Sequence, residues 1–197
     1  MPRLFKVVML SMLFGLTACQ MMESKPEQLP TGIKLGETYY TQVTMMYEKG
    51  VYRTTNYRRG TLVEVNTPVK LLEISPKVIK VKVLPSNTEL LIKNVVKHTG
   101  DDVYQAFAKF FAKQTVNLTH FTLLERGNIK RGTVEKGMSK NAVQVAIGYP
   151  PITRTPSLDS NQWTYWSSRF NTFIVHFENG KVSRIQDPMN ILLPWYL

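Results

Sequence analysis

Apolar and polar residues change their period along this chain. Between Tyr39 and about Lys97 the apolar residues come in short stretches. Leu62, Val63 and Val65 precede an Asn66-Thr67-Pro68 turn, and Val69 to Ile74 is closed by Ser75-Pro76. Ile79, Val81 and Val83 alternate with Lys80 and Lys82, and Glu89 to Val96 follows a Pro85-Ser86-Asn87 turn. Alternation sends one set of side chains into a core and the other into water, so these stretches predict strands. Short strands at this spacing predict a small sheet that curls or closes. An SH3-like barrel is the expected form, because closure buries sheet edges within roughly 60 residues.

Past residue 98 the period becomes helical. Val103, Phe107, Phe110 and Phe111 make one apolar stripe behind Asp101, which can cap the free N–H groups of a helix start. A second helix is expected from Ser139, with Ala142, Val143, Ala146 and Ile147 as its apolar face; Gly148 and Pro150-Pro151 stop it. After a polar loop, Trp163-Thr164-Tyr165-Trp166 begins a strand. Phe173, Val175 and Phe177 share one face of the next, and Glu178-Asn179-Gly180-Lys181 carries the Asn-Gly hairpin signal before Val182 to Ile185 returns. The order predicted for this half is helix, helix, three antiparallel strands. The chain as a whole is expected to be α+β.

The two ends follow other rules. Arg3 and Lys6 precede an apolar run, Val7 to Leu16, interrupted only by Ser11 and Gly15. This is about half the roughly 20 residues that span a bilayer. It closes on Leu16-Thr17-Ala18-Cys19, which resembles the lipobox of bacterial lipoproteins: an aliphatic residue, two small residues and Cys. The resemblance implies cleavage after Ala18 and lipidation of Cys19, with several acyl chains giving a stable membrane anchor. Gln20 stands where an Asp would suggest inner-membrane retention, so the implied location is the outer membrane, on its periplasmic face. Residues 20–31 hold two prolines and no periodicity and predict a tether. The last residues, Asn190 to Leu197, are strongly apolar and include Trp195 and Tyr196. They suit either a second membrane contact or docking onto the protein's own surface.

Gly137-Met138-Ser139-Lys140 with Val143, then Gly148-Tyr149-Pro150, the aromatic Trp163 to Trp166, and the Phe177 to Val182 hairpin follow one another at a distinctive spacing. In this order they resemble the SmpA/OmlA family, the BamE-like outer-membrane assembly lipoproteins. The resemblance covers about residues 128–187. It implies an ααβββ fold and an accessory role in which such a protein stabilises other assembly components. The β-rich half before it is additional to the usual single small domain of that family.

Charge adds a further partner class. The chain has 25 Lys and Arg against 14 Asp and Glu, a net +11, which becomes +9 without Arg3 and Lys6. The excess is spread along the chain and is densest at Arg126, Lys130, Arg131, Lys136 and Lys140. Such a surface suits anionic polymers or lipid headgroups as well as simple solubility. Export leaves nucleic acid out as a partner. Lipidation of Cys19, the only cysteine, leaves no thiol for a disulfide, a metal or nucleophilic catalysis. His98, His120 and His176 have no partner at a metal-ligand spacing, and no nucleophile elbow or phosphate-cradling loop occurs. The Asp101-Asp102 pair is explained by a helix start. The expectation is therefore a protein without catalytic residues, cofactor or metal; an enzyme would require groups such as His98, His120 or Asp159 to converge on one cleft.

These signals divide the chain into a signal peptide at 1–18, lipidated Cys19 with a tether at 19–32, a β-rich domain at 33–98, a BamE-like ααβββ domain at 99–188 and an apolar tail at 189–197. The function they point to is a non-enzymatic interaction or scaffold module for envelope or outer-membrane proteins, tethered to the membrane through Cys19. The alternative is a binding module for an anionic envelope polymer or lipid headgroups.

Overall fold

The computed structural model describes residues 29–187. The signal segment, Cys19, the tether as far as residue 28 and the apolar tail lie outside the described residues. The fold is mixed α+β, mostly strands, with three helices, a single helical turn and a sheet curled into a half barrel.

The alternating stretches form the expected sheet. Its strands are β1 (Thr38–Thr41), β3 (Val51–Arg53), β5 (Pro68–Ser75), β6 (Val78–Val83), β7 (Thr88–Lys93) and β8 (Phe111–Ala112), in the order β3-β7-β6-β5-β1-β8. Only β3 and β7 run parallel. A separate pair, β2 (Met45–Tyr47) with β4 (Thr61–Val63), continues the register of β1 and β5: Tyr40 faces Pro68, and Met45 faces Val63 five residues along each strand. Two long strands thus keep one register on either side of a bend at residues 42–44. Lys49 and Gly50, with φ of 51° and 73°, turn β2 into β3, and Glu48 and Val51 exchange backbone hydrogen bonds of 3.1 and 3.0 Å. A two-residue hairpin loop needs positive φ at both positions, and glycine adopts it without steric strain.

Helix α2 (Val103–Phe110) packs on the sheet. Val103, Phe107 and Phe110 join Tyr39, Leu71, Ile79, Val81 and Ile92 in one core, and the Phe107 ring lies edge-on to Tyr39 at 5.0 Å. Asp102, not Asp101, caps the helix, in a reciprocal arrangement with Gln105. Asp101 instead accepts from the Lys109 ammonium at 2.6 Å. Phe111 is extended and opens β8, which pairs with β1. The strand expected over Glu89 to Val96 ends at Lys93, and Val96 opens α1 (Val96–Thr99), a single turn.

A second core lies mostly beyond Ala112, with Val65 joining it. A short 3-10 turn (Leu118–His120) leads into α3 (Leu123–Arg131), and α4 (Lys140–Ile147) follows. β9 (Gln162–Trp166), β10 (Thr172–Glu178) and β11 (Lys181–Gln186) make an antiparallel meander in the order β11-β10-β9. Ile129, Ala142, Val143, Ala146 and Ile147 pack with Trp163, Tyr165, Phe173, Val175, Phe177 and Val182. Ser139 caps α4, Gly148 ends it, and Asn179-Gly180 turns the hairpin with φ of 50° and 73°.

Two expectations change. The first helix of the helix-helix-meander unit is α3, which the apolar pattern does not announce. The helix at 103–110, assigned from sequence to that unit, belongs to the first core, because its phenylalanine stripe faces the half barrel. A boundary at 98/99 therefore falls before this helix, whose buried residues pack in the first core.

Candidate functional site

The two cores meet through buried polar groups. At the bend after β1, the Gln42 N–H donates to Phe110 O within the first core, while the Thr44 N–H donates to Val145 O of α4, each at 2.9 Å. Thr44 Oγ1 donates to Ile129 O at 2.6 Å and accepts from Val65 N at 3.2 Å. Asn56, buried with φ of 45°, donates from Nδ2 to Ile147 O at 2.8 Å and to Thr44 O at 3.2 Å, while its Oδ1 accepts from Met46 N. One side chain thus satisfies the last turn of α4 and the bend of the half barrel together. Gly148 leaves room for it, since a Cβ there would lie 3.2 Å from Asn56 Nδ2. Arg58 adds a third link, its guanidinium 4.7 Å from the centre of the Phe173 ring.

Beside this junction four segments enclose a cleft of about 190 Å³. Thr54 and Thr55 follow β3, His98 and Thr99 come from α1 and Asp101 from the link after it, Lys109 and Phe110 from α2, and residues between Tyr149 and Leu158 from the loop after α4. The walls are fixed by hydrogen bonds. Thr54 Oγ1 donates to Asn94 Oδ1 at 3.2 Å and accepts from Val95 N at 2.8 Å, and Asn94 Nδ2 donates to Asp101 O at 2.7 Å. Ile152 N donates to His98 O at 2.8 Å, and His98 Nδ1 lies 2.9 Å from Thr153 Oγ1. Burial, and then the positive charges of Lys97 and Arg154, hold His98 below the usual histidine range, so its neutral form is favoured. Thr55 is only 3% exposed, and its hydroxyl has no hydrogen-bond partner among the described residues.

Of His98, His120 and Asp159, only His98 lines this cleft. His120 is exposed, with Nε2 3.1 Å from Asn117 Nδ2. Asp159 is exposed and accepts from the Ser157 hydroxyl. His176 lies on the outer face of β10, 3.1 Å from the Arg184 guanidinium and 3.2 Å from Gln186 Oε1. Among the described residues, no three His, Cys, Asp or Glu side chains are placed to share a metal ion. No described helix is long and apolar enough to cross a membrane.

The structure adds participants that sequence reading does not single out, Thr55, Ile152 and Leu158, and it pairs Asp101 with Lys109. Pro150-Pro151 was legible only as a helix stop, and no local pattern marks Thr55. A second surface lies on the outer face of the sheet. There Lys70 stands opposite Lys82, and Arg53 opposite Lys93. None of these four is ion-paired among the described residues, unlike Lys80, which lies 3.8 Å from Glu73. Comparison with protein-family models, curated proteins and solved structures found no match for the chain in any of the three.

Proposed function

We propose that the protein is a non-catalytic lipoprotein, anchored through Cys19 on the periplasmic face of the outer membrane, that binds envelope or outer-membrane proteins as an interaction module. The observation that carries this reading is the agreement between the SmpA/OmlA resemblance and one folded unit. Met138 is buried in that unit's core, Ser139 and Gly148 bound α4, Trp163 and Tyr165 face its core, and Asn179-Gly180 makes its hairpin. The same agreement supports a BamE-like arrangement for α3, α4 and the meander. The paired bent strands and the Glu48–Val51 bridge support an SH3-like arrangement for the half barrel. Anchoring raises the effective concentration of neighbours in the same membrane. The test is native purification of the lipidated chain from detergent-solubilised membranes. Reproducible co-purification of an envelope protein, lost when Cys19→Ala releases the chain, is expected; recovery of the chain alone would overturn the reading.

A second reading, binding of an anionic polymer or lipid headgroups, is favoured by the outer sheet face. Like charges directly opposite each other destabilise a sheet unless an opposite charge or solvent screens them; Lys70 and Lys82 are so placed, with Glu89 opposite Lys82 on its other side. Co-sedimentation with cell-wall polymer or anionic vesicles at two salt concentrations tests it. Loss of binding at high salt and in Lys70→Glu/Lys82→Glu is the expected result.

A further inference from the structure

We propose that the junction cleft is a socket for one large apolar side chain of a protein partner, presented on a segment that carries carboxylates beside it. The proposal rests on the protein-interaction reading and names the place and the chemistry of the contact.

Size restricts the occupant. A cleft of about 190 Å³ is smaller than the roughly 300–1,000 Å³ that enclose whole drug-sized ligands, and it matches a single side chain better than a cofactor. Its walls are apolar and stiff: Phe110, Tyr149, Pro150 and Pro151 line it, and the Lys109 ammonium sits 5.3 Å from the centre of the Tyr149 ring. At the same site Ile152 and Leu158 are 45% and 40% exposed. An apolar anchor seated there covers surface that the protein leaves open to water, and rigid walls lose little conformational freedom on binding.

Charge orients the occupant. The charge around the cleft is positive. Lys97 and Arg154 both act on His98, while within the wall the charges of Lys109 and Asp101 offset each other. Carboxylates flanking the anchor complement this arrangement, and lysines there would be repelled.

Two labelled probe peptides test the socket against the purified full chain: acetyl-Asp-Asp-Phe-Asp-amide and its counterpart with lysine in place of aspartate. The acidic peptide is expected to bind at least about 10-fold tighter, and to lose about 3-fold or more in affinity between 50 and 300 mM salt. Equal affinity for the two peptides would overturn the proposal. A photo-cross-linking residue placed at Ile152 or at Lys82 in the anchored chain separates this idea from the reading beneath it. An adduct from Ile152 that the acidic peptide competes away supports the socket. An adduct only from Lys82 overturns the socket and leaves protein interaction standing; no adduct from either overturns both.

Discussion

Helices α2 and α3 are nearly equal in length and are held by opposite means. α2 turns Val103, Ala106, Phe107 and Phe110 into a core, with an apolar stripe at helical spacing. α3 leaves Leu123 81% exposed and buries Glu125, Asn128 and Ile129. The Glu125 carboxylate accepts from Thr122 N and Thr122 Oγ1 with one oxygen and from Ser139 N, at the start of α4, with the other. Asn128 reaches Leu124 O, Glu135 and Thr133. Hydrophobic burial is non-directional and leaves a periodic mark on the sequence. A buried polar network is directional, depends on partners distant in the chain and leaves no such mark.

The contrast sets an order of mutational effects, each measurable by urea denaturation of the full chain. Phe107→Ala empties the centre of the first core and is expected to destabilise by about 3–5 kcal/mol. Asn56→Ala leaves Ile147 O, Thr44 O and Met46 N without their side-chain partner and is expected to lose about 2–4 kcal/mol, most of it from the junction. Glu125→Gln points an NH₂ group at N–H donors and is expected to lose about 1–3 kcal/mol at pH 7. If Leu123→Ser matched any of these, the comparison would break; its expected effect is within about 0.5 kcal/mol.

Acid sharpens the same comparison. Burial opposes ionisation of Glu125, but hydrogen bonds from Ser139 and Thr122 together outweigh it and hold its pKa below the ordinary 4.5. A carboxyl with a depressed folded-state pKa contributes stability above its unfolded value and loses it as pH falls through the folded value. The gap between wild type and Glu125→Gln is therefore expected to narrow on acidification below pH 4.5. A constant gap down to pH 2.5 would show that the charge of Glu125 is not what joins α3 to α4.

What was legible in the chain follows from this physics. Ile79, Val81 and Val83 against Lys80 and Lys82 announced β6, and Asn179-Gly180 announced the hairpin, because both signals are local. The start of α4 was legible from Ser139, and the stripe of α2 from its phenylalanines. The helix's allegiance was not, since a stripe does not say which sheet it meets. α3 was hidden by its polar buried face. The cleft was hidden because Thr55, His98, Lys109 and Tyr149 come from segments far apart in sequence, joined only where Asn56 and Thr44 hold the two cores together.

That junction supports everything proposed for the cleft, since the walls come from both cores. Residue-resolved hydrogen exchange through a urea series tests it most directly. The most protected amides of β6 in the first core and of β10 in the second are expected to open together, with the same free energy and the same denaturant dependence. In Asn56→Ala they are expected to separate. Separate openings already present in the wild-type chain would contradict the account, because the two cores would then be independent bodies and the cleft between them no fixed site.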